Sequence, residues 1–203
     1  MIPRIFEGET MFIVAGGASL MALDFDRLIG KKHIALNFSL RFCPQADILY
    51  FTDAHFFREN REEIEAHAAP WKASGHINQE PGTPDWLHVY RLSAREGFDP
   101  DPTALRHGNT STYAAMHLCA HIGVKRIVLL GVDMCLSPEG RTHYYDGHEY
   151  PERSYVYVEC MVPFFAGLYQ PFKNMGIEVL NASPKSQLKI WPRISLEEAM
   201  SLT

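Results

Sequence analysis

Apolar residues fall into short continuous runs in some segments and recur at helical spacing in others, and the two kinds of segment take turns along the chain. Met11–Ala15 is an apolar run ending in Gly16-Gly17-Ala18-Ser19, the pattern of a buried strand feeding a tight turn. Leu20, Leu23 and Leu28 follow at roughly helical spacing. Further strands are predicted at His33–Asn37 and Asp47–Thr52, the latter closed by Asp53. Residues 54–68 read as a helix, with 58–63 as its solvated face and Phe57, Ile64 and Ala68 on its apolar side; Pro70 stops it. Segment 70–108 is broken by proline and glycine and predicts one strand, Leu87–Leu92. Regularity then returns. Asn109-Thr110-Ser111-Thr112 caps a helix over Tyr113–Ile122 that Gly123 closes. The run 125–130 is a strand with a fully buried apolar half, followed directly by Gly131-Val132-Asp133. After a polar, aromatic loop at 137–151, a helical stretch over 152–174 carries Pro163 and Pro171 and is expected to break. A last strand, Ile177–Asn181, and a short helix, Ser195–Ser201, complete the pattern.

Strands alternating with helices in this way predict βαβ units. The expected fold is α/β and Rossmann-like: a mostly parallel sheet with helices on both faces. The 203 residues fit a single domain, 1–203, with an irregular insertion or lid at 70–108. Ligands of such sheets bind at the carboxyl ends of the strands, so the polar residues there are the ones to weigh.

Composition narrows the partners. Hydrophobic residues make up 46% of the chain and aromatic ones 12%, enough buriable surface to exclude disorder as the dominant state. A net charge of −5 argues against a general nucleic-acid coat. No apolar run approaches the roughly 18 residues that span a bilayer. The first ten residues lack a continuous signal-peptide core, since Glu7 and Glu9 interrupt it. Cys43, Cys119, Cys135 and Cys160 are widely spaced without a CxxC, the usage of reduced thiols, so a cytoplasmic location is expected.

At the strand ends, Gly16 and Gly17 would let backbone approach a phosphate, with Ser19 at the expected helix start. A plain strand-to-helix turn explains them equally well. Asn37 can donate and accept, which suits a sugar hydroxyl or a base edge, and Asp53 suits a ribose, a metal or a helix cap. Ser111 and Thr112 offer hydroxyls and N–H groups at a helix start. His117 and His121 stand four apart with no acidic residue of a zinc-hydrolase motif between them, and read as packed side chains. Thr142 to His148 is the richest cluster: His143, Tyr144, Tyr145, Asp146 and His148 combine imidazoles for general-base work with phenols that stabilise a leaving phosphate. A surface turn built on Asp146-Gly147 is the alternative.

The order of these motifs resembles the small bacterial sialyltransferases of glycosyltransferase family forty-two and the related motility-accessory-factor and pterin-pyrophosphokinase-like group. The resemblance rests on 13–20 with Asp24, on Ala35-Leu36-Asn37, on Asn109–Tyr113 running through Ile122–Asp133, and on Asn181–Ser186. It covers roughly 11–55 and 108–186. Asp53 stands where those enzymes show a second asparagine, and 70–108 has no counterpart.

The resemblance implies a nucleotide-sugar-dependent glycosyltransferase that moves a sugar, with a CMP-linked donor as one candidate, to a hydroxyl acceptor such as a glycan. Gly16, Gly17, Ser19, Asn37, Ser111 and Thr112 would contact the donor, with Asp53, Asp133 and Ser183 at the same cleft. Segment 137–151 would be the active-site loop. His148, in its Tyr-x-Gly-His context, would deprotonate the acceptor, with His143 as the other imidazole. Tyr144 or Tyr145 would stabilise the departing phosphate. No metal or further cofactor is then required, and a homo-oligomer is compatible. The alternatives are a pterin-type pyrophosphokinase holding Mg²⁺ on Asp53 and Asp133, or a non-catalytic nucleotide-binding protein.

Overall fold

A computed structural model describes residues 1–75, 82–146 and 154–202. Seven strands form one all-parallel sheet: β1 (Thr10–Val14), β2 (His33–Leu36), β3 (Ile48–Phe51), β4 (Trp71–Ser74), β5 (Leu87–Val89), β8 (Arg126–Leu130) and β9 (Glu178–Asn181). Their order is β5-β4-β3-β2-β1-β8-β9. The chain therefore builds outward from β1 to one edge, then returns to lay β8 on the other side of it. The gap between β1 and β8 is the point where the winding reverses, and crevices form there by construction.

Alternate residues of each strand enter two separate cores, as a sheet covered on both faces requires. Met11, Ile13, Ile34, Tyr50, Ile127 and Leu129 face one core. Phe12, Val14, Ala35, Phe51, Val128 and Leu130 face the other. Helices α2 (Ser111–His121) and α4 (Ala166–Met175) supply the first core with Tyr113, Met116, Leu168 and Phe172. Helices α1 (Ala54–Ala66) and α5 (Leu196–Ser201) supply the second with Phe57, Ile64, Ala199 and Met200. The expected fold class holds.

Several expectations are corrected in detail. The segment after β1 is not an α-helix but two 3₁₀ turns, Ala18–Ala22 and Phe25–Leu28. Their leucines are core anchors, and no helix macrodipole points at the turn. The insertion contains more order than its prolines suggest. β4 pairs with β3, and the strand predicted over 87–92 divides at Tyr90. Its first half, β5, extends the main sheet; its second half, β6 (Arg91–Ala94), pairs in parallel with β7 (Ala104–Arg106) as a separate ribbon. The long helical stretch does break, into α3 (Ser154–Cys160), a 3₁₀ turn at Val162–Phe165 and α4.

His117 and His121 lock the ribbon and its loop to α2. His117 is wholly buried; its Nδ1 accepts from the Arg106 N–H at 2.9 Å, which leaves Nε2 to donate to the Asp99 carbonyl at 3.1 Å. Burial holds its pKa down at about 4, so it is a neutral structural residue. His121 Nε2 lies 3.1 Å from the Ala104 carbonyl.

Candidate functional site

The carboxyl ends of β1, β2, β3 and β8 open into a cleft of about 310 Å³. Gly16 and Gly17 from β1, Asn37 from β2, Asp53 from β3 and Asp133 from β8 all line it. Thr110, Ser111 and Thr112 enter at the start of α2, and His143 and Tyr145 close one side. Of the sequence-predicted residues, these converge. Three do not stand in its wall: Ser19, Ser183 and Tyr144. His148 lies outside the described residues.

Each side chain has a local reason for its place. Gly17 has an ordinary backbone conformation, with φ −59° and ψ 144°; the glycine answers to space instead. A Cβ there would meet the Gly131 carbonyl oxygen and come within 2.6 Å of the Asp133 carboxyl carbon. A Cβ on Gly16 would strike the His143 ring and approach the Tyr145 hydroxyl to 2.7 Å. The two glycines thus let the segment carrying His143 and Tyr145 and the turn after β8 close onto β1. The Tyr144 N–H donates to the Gly16 carbonyl at 3.0 Å, fixing that closure, and Gly17 and His143 pair as an isolated antiparallel bridge.

Ser19 stands behind the cleft and buttresses it. Its N–H donates to Asp133 Oδ2 at 2.8 Å and its hydroxyl to Oδ1 at 2.5 Å. Burial pushes the Asp133 pKa up, while these two bonds oppose the rise. Ser183 is a structural hydroxyl too. It is completely buried and accepts the Val132 N–H at 2.8 Å, holding the Gly131–Asp133 turn from beneath.

The start of α2 is an anion-ready element. Thr110 caps the helix, its hydroxyl accepting from the Thr112 N–H at 3.2 Å, and this end of the helix opens into the cleft. The Ser111 hydroxyl lies 2.8 Å from Thr52 Oγ1, linking α2 to the end of β3. Asp53 caps α1, with Oδ1 accepting the His55 N–H at 2.7 Å, while still lining the cleft.

The two loop tyrosines have different surroundings. Tyr145 lies in the cleft wall, its ring stacked on His143 at 5.0 Å, and His143 Nδ1 is 2.7 Å from the Thr142 hydroxyl. Tyr144 instead packs into an aromatic cluster with Phe25 and Phe42, at 5.3 and 4.9 Å. Burial pushes the pKa of its hydroxyl up, and the Ser39 hydroxyl beside it opposes the rise. Tyr144 anchors the loop and Tyr145 faces the cleft.

Among the described residues, three outside glycine adopt a left-handed backbone: Asn37 (φ 49°), Asn109 (φ 59°) and Met134 (φ 51°). All three line the cleft. Strain concentrated at one site in this way is typical of functional loops held by their surroundings. Met134, Cys135, Thr52, Tyr157 and Met161 are cleft residues the sequence analysis did not single out. Their positions just beyond β3 and β8 were a usable signal for Thr52, Met134 and Cys135. Tyr157 and Met161 carry none, because α3 reaches the cleft only through tertiary folding.

No known family's sequence profile matches the chain, and neither does any curated protein. Solved structures do. The sialyltransferase CstII of Campylobacter jejuni, in complex with the substrate analogue cytidine-5'-monophosphate, superposes with a TM-score of 0.58 at 15% identity, over 93% of this chain and 86% of that one. The same enzyme with CMP-3FNeuAc gives 0.55 at 14% identity, over 92% and 86%. The MAf glycosyltransferase of Magnetospirillum magneticum AMB-1 gives 0.64 at 16% identity, over 97% of this chain but 34% of that much longer one. The fold is the one these glycosyltransferases share.

Proposed function

We propose that the protein is a glycosyltransferase that takes a sugar from a nucleotide donor, CMP-linked in the first instance, and passes it to a hydroxyl acceptor. The observation that carries the proposal is the convergence of Gly16, Asn37, the α2 N-terminus, His143 and Tyr145 on one cleft at the winding reversal. The likeness of fold to enzymes seen with CMP and a CMP-sugar supports the choice of donor.

In this reading the N–H groups at the start of α2 and the Ser111 and Thr112 hydroxyls receive the donor's anionic end. Asn37 reads a sugar hydroxyl or the base edge. An imidazole of the 143–148 segment takes the acceptor's hydroxyl proton. The freed oxygen forms a bond to the anomeric carbon, and the bond from that carbon to the phosphate oxygen breaks. Its electron pair leaves on the nucleotide phosphate, where the Tyr145 hydroxyl donates to it. His148 fills the base role by resemblance, and His143 competes for it on geometry.

The pyrophosphokinase alternative would use Asp133 as a magnesium ligand. Both oxygens of that carboxylate already accept from Ser19, so a cation would have to share or displace them. The experiment is a thermal-shift titration with CMP, UDP, GDP, ADP and ATP, each with and without Mg²⁺, followed by donor-turnover assays. A concentration-dependent shift with CMP, independent of Mg²⁺, and turnover of a CMP-sugar support the proposal. A shift confined to Mg-ATP overturns it in favour of phosphoryl transfer.

A further inference from the structure

Three hydroxyls stand at the start of α2, and their surroundings differ. The Thr110 oxygen accepts the Thr112 N–H at 3.2 Å, and Thr112 itself is buried. Ser111 is half-buried, and its Oγ lies 2.8 Å from Thr52 Oγ1, 59 residues earlier in the chain. Both members of that pair line the cleft.

Thr52 is a fixed point. It follows β3 directly, and the Phe51 carbonyl before it accepts the Gly75 N–H at 3.3 Å. Asp53 after it caps α1 by accepting the His55 N–H at 2.7 Å. The backbone is thus held on both sides, and a β-branched side chain has few rotamers left to choose from. Ser111 is the opposite case. Its unbranched side chain turns among staggered wells, and its proton swings to whichever acceptor is near.

Each hydroxyl carries one proton, so the bond between them runs one way at a time. A Ser111 that donates to Thr52 has spent its proton, whereas a Ser111 that accepts from Thr52 keeps it for a ligand. An anion at the helix start decides the direction, because an ionised phosphate oxygen accepts and does not donate. The bonds then run from Thr52 to Ser111 to phosphate, and each link polarises the next. We propose that Thr52 is a positioning residue of the donor site: its hydroxyl donates to Ser111 and so commits the Ser111 proton to the donor's phosphate. The proposal rests on the reading that the start of α2 receives the donor's anionic end, and it adds to that site a residue that acts through another.

Calorimetric titration of the full chain with CMP, and separately with inorganic pyrophosphate, tests it. Thr52→Val keeps the branched shape without the hydroxyl and should weaken both ligands about fivefold, the order of one hydrogen bond between uncharged groups. Thr52→Ser returns the hydroxyl and should recover most of that loss. Ser111→Ala should weaken both ligands at least as much, and in its background Thr52→Val should cost nothing further. Melting curves without ligand show whether each variant is folded, and Thr52→Ala replaces Thr52→Val if the latter is not. Unchanged affinity in the folded variant lacking the hydroxyl overturns the proposal, since the bond is then only a pin between β3 and α2. So does an undiminished loss when Thr52→Val is added to Ser111→Ala, or a Thr52→Ser that binds no better than Thr52→Val. Binding of pyrophosphate but not CMP by the wild type counts against the CMP donor alone, and the pair is then judged on pyrophosphate. If the wild type binds neither, the start of α2 receives no phosphate, and this proposal falls together with that reading.

Discussion

Ser19 and Asp133 tie the turn after β1 to the turn after β8 through two hydrogen bonds from one serine to both carboxylate oxygens. This clasp bridges the strands flanking the winding reversal and sets the width of the cleft floor. Asp133→Ala, which removes both acceptors of the half-buried Ser19, should destabilise the protein by about 1 kcal/mol in urea unfolding. Asp133→Asn keeps one acceptor oxygen for Ser19, so its loss should be smaller. Equal losses would show that charge, rather than acceptor geometry, makes the clasp.

The two glycines of the first turn should fail in different ways. Gly17→Ala drives a methyl against backbone and a buried carboxylate, so thermal unfolding should show a marked drop in stability. Gly16→Ala meets mainly the His143 and Tyr145 side chains, which can be displaced. It should fold nearly as well as the wild type and lose turnover. A Gly16→Ala enzyme with full kcat would separate the loop from the chemistry.

Asn37 offers a way to part backbone from side chain. Its left-handed φ of 49° costs a residue with a Cβ about 1 kcal/mol, and glycine nothing. Asn37→Gly should match or exceed the wild type in stability while binding CMP about tenfold more weakly, if the amide contacts the ligand. Asn37→Ala should show the same binding loss and lower stability. Unchanged CMP affinity in both variants would reduce Asn37 to a turn residue.

For the loop imidazoles, removing a general base costs about 10²–10⁴ in rate. His148→Ala should lose turnover on that scale with nucleotide affinity kept. His143→Ala, which deletes a ring stacked on Tyr145, should weaken nucleotide binding as well. Selective loss of rate in His143→Ala, with His148→Ala near normal, exchanges the two roles.

Acid should loosen the ribbon. His117 titrates at about 4 in the folded protein, against about 6.5 when unfolded. Between those values the unfolded chain binds the extra proton, so stability is complete above pH 6.5 and falls as pH drops toward 4, by up to about 3 kcal/mol. Asp99 and His121 face the same ring, the first favouring and the second opposing its charge, as does Arg106. His33, His67, His88 and His121 are lowered by burial too and act in the same direction. Urea midpoints measured from pH 7.5 to 4 check the slope, and His117→Gln should flatten it.

The parallel frame was legible because buried strands announce themselves. Met11–Ala15 and Ile127–Leu130 are apolar without interruption, and glycine marks the end of each. The convergence of Asn37, Asp53 and Asp133 followed from the frame alone, since carboxyl ends of neighbouring parallel strands must share an edge. What stayed hidden depended on contacts across the chain. β4 begins Trp71-Lys72 and has no apolar run to mark it, because its partners on either side make it a strand. Leu20 and Leu23 have helical spacing, yet the Ser19–Asp133 clasp and core packing hold that segment in 3₁₀ turns. The sequence likewise could not separate Tyr144 from Tyr145, adjacent residues that differ only in what the fold sets against each ring.

The placement of β8 also governs the order in which this protein is made. Thr10 pairs with Arg126, 116 positions later, so β1 has only one neighbour until the second half of the chain arrives. Pairings this distant carry a large loop-closure entropy and slow the search for the native state. During synthesis the N-terminal half presents the open edge of β1, with Phe12, Ile13 and Val14 along it, to any other unfinished chain nearby. Refolding from dilute urea should therefore be slow and concentration-sensitive, and the cleft should form last, when β8 closes that edge.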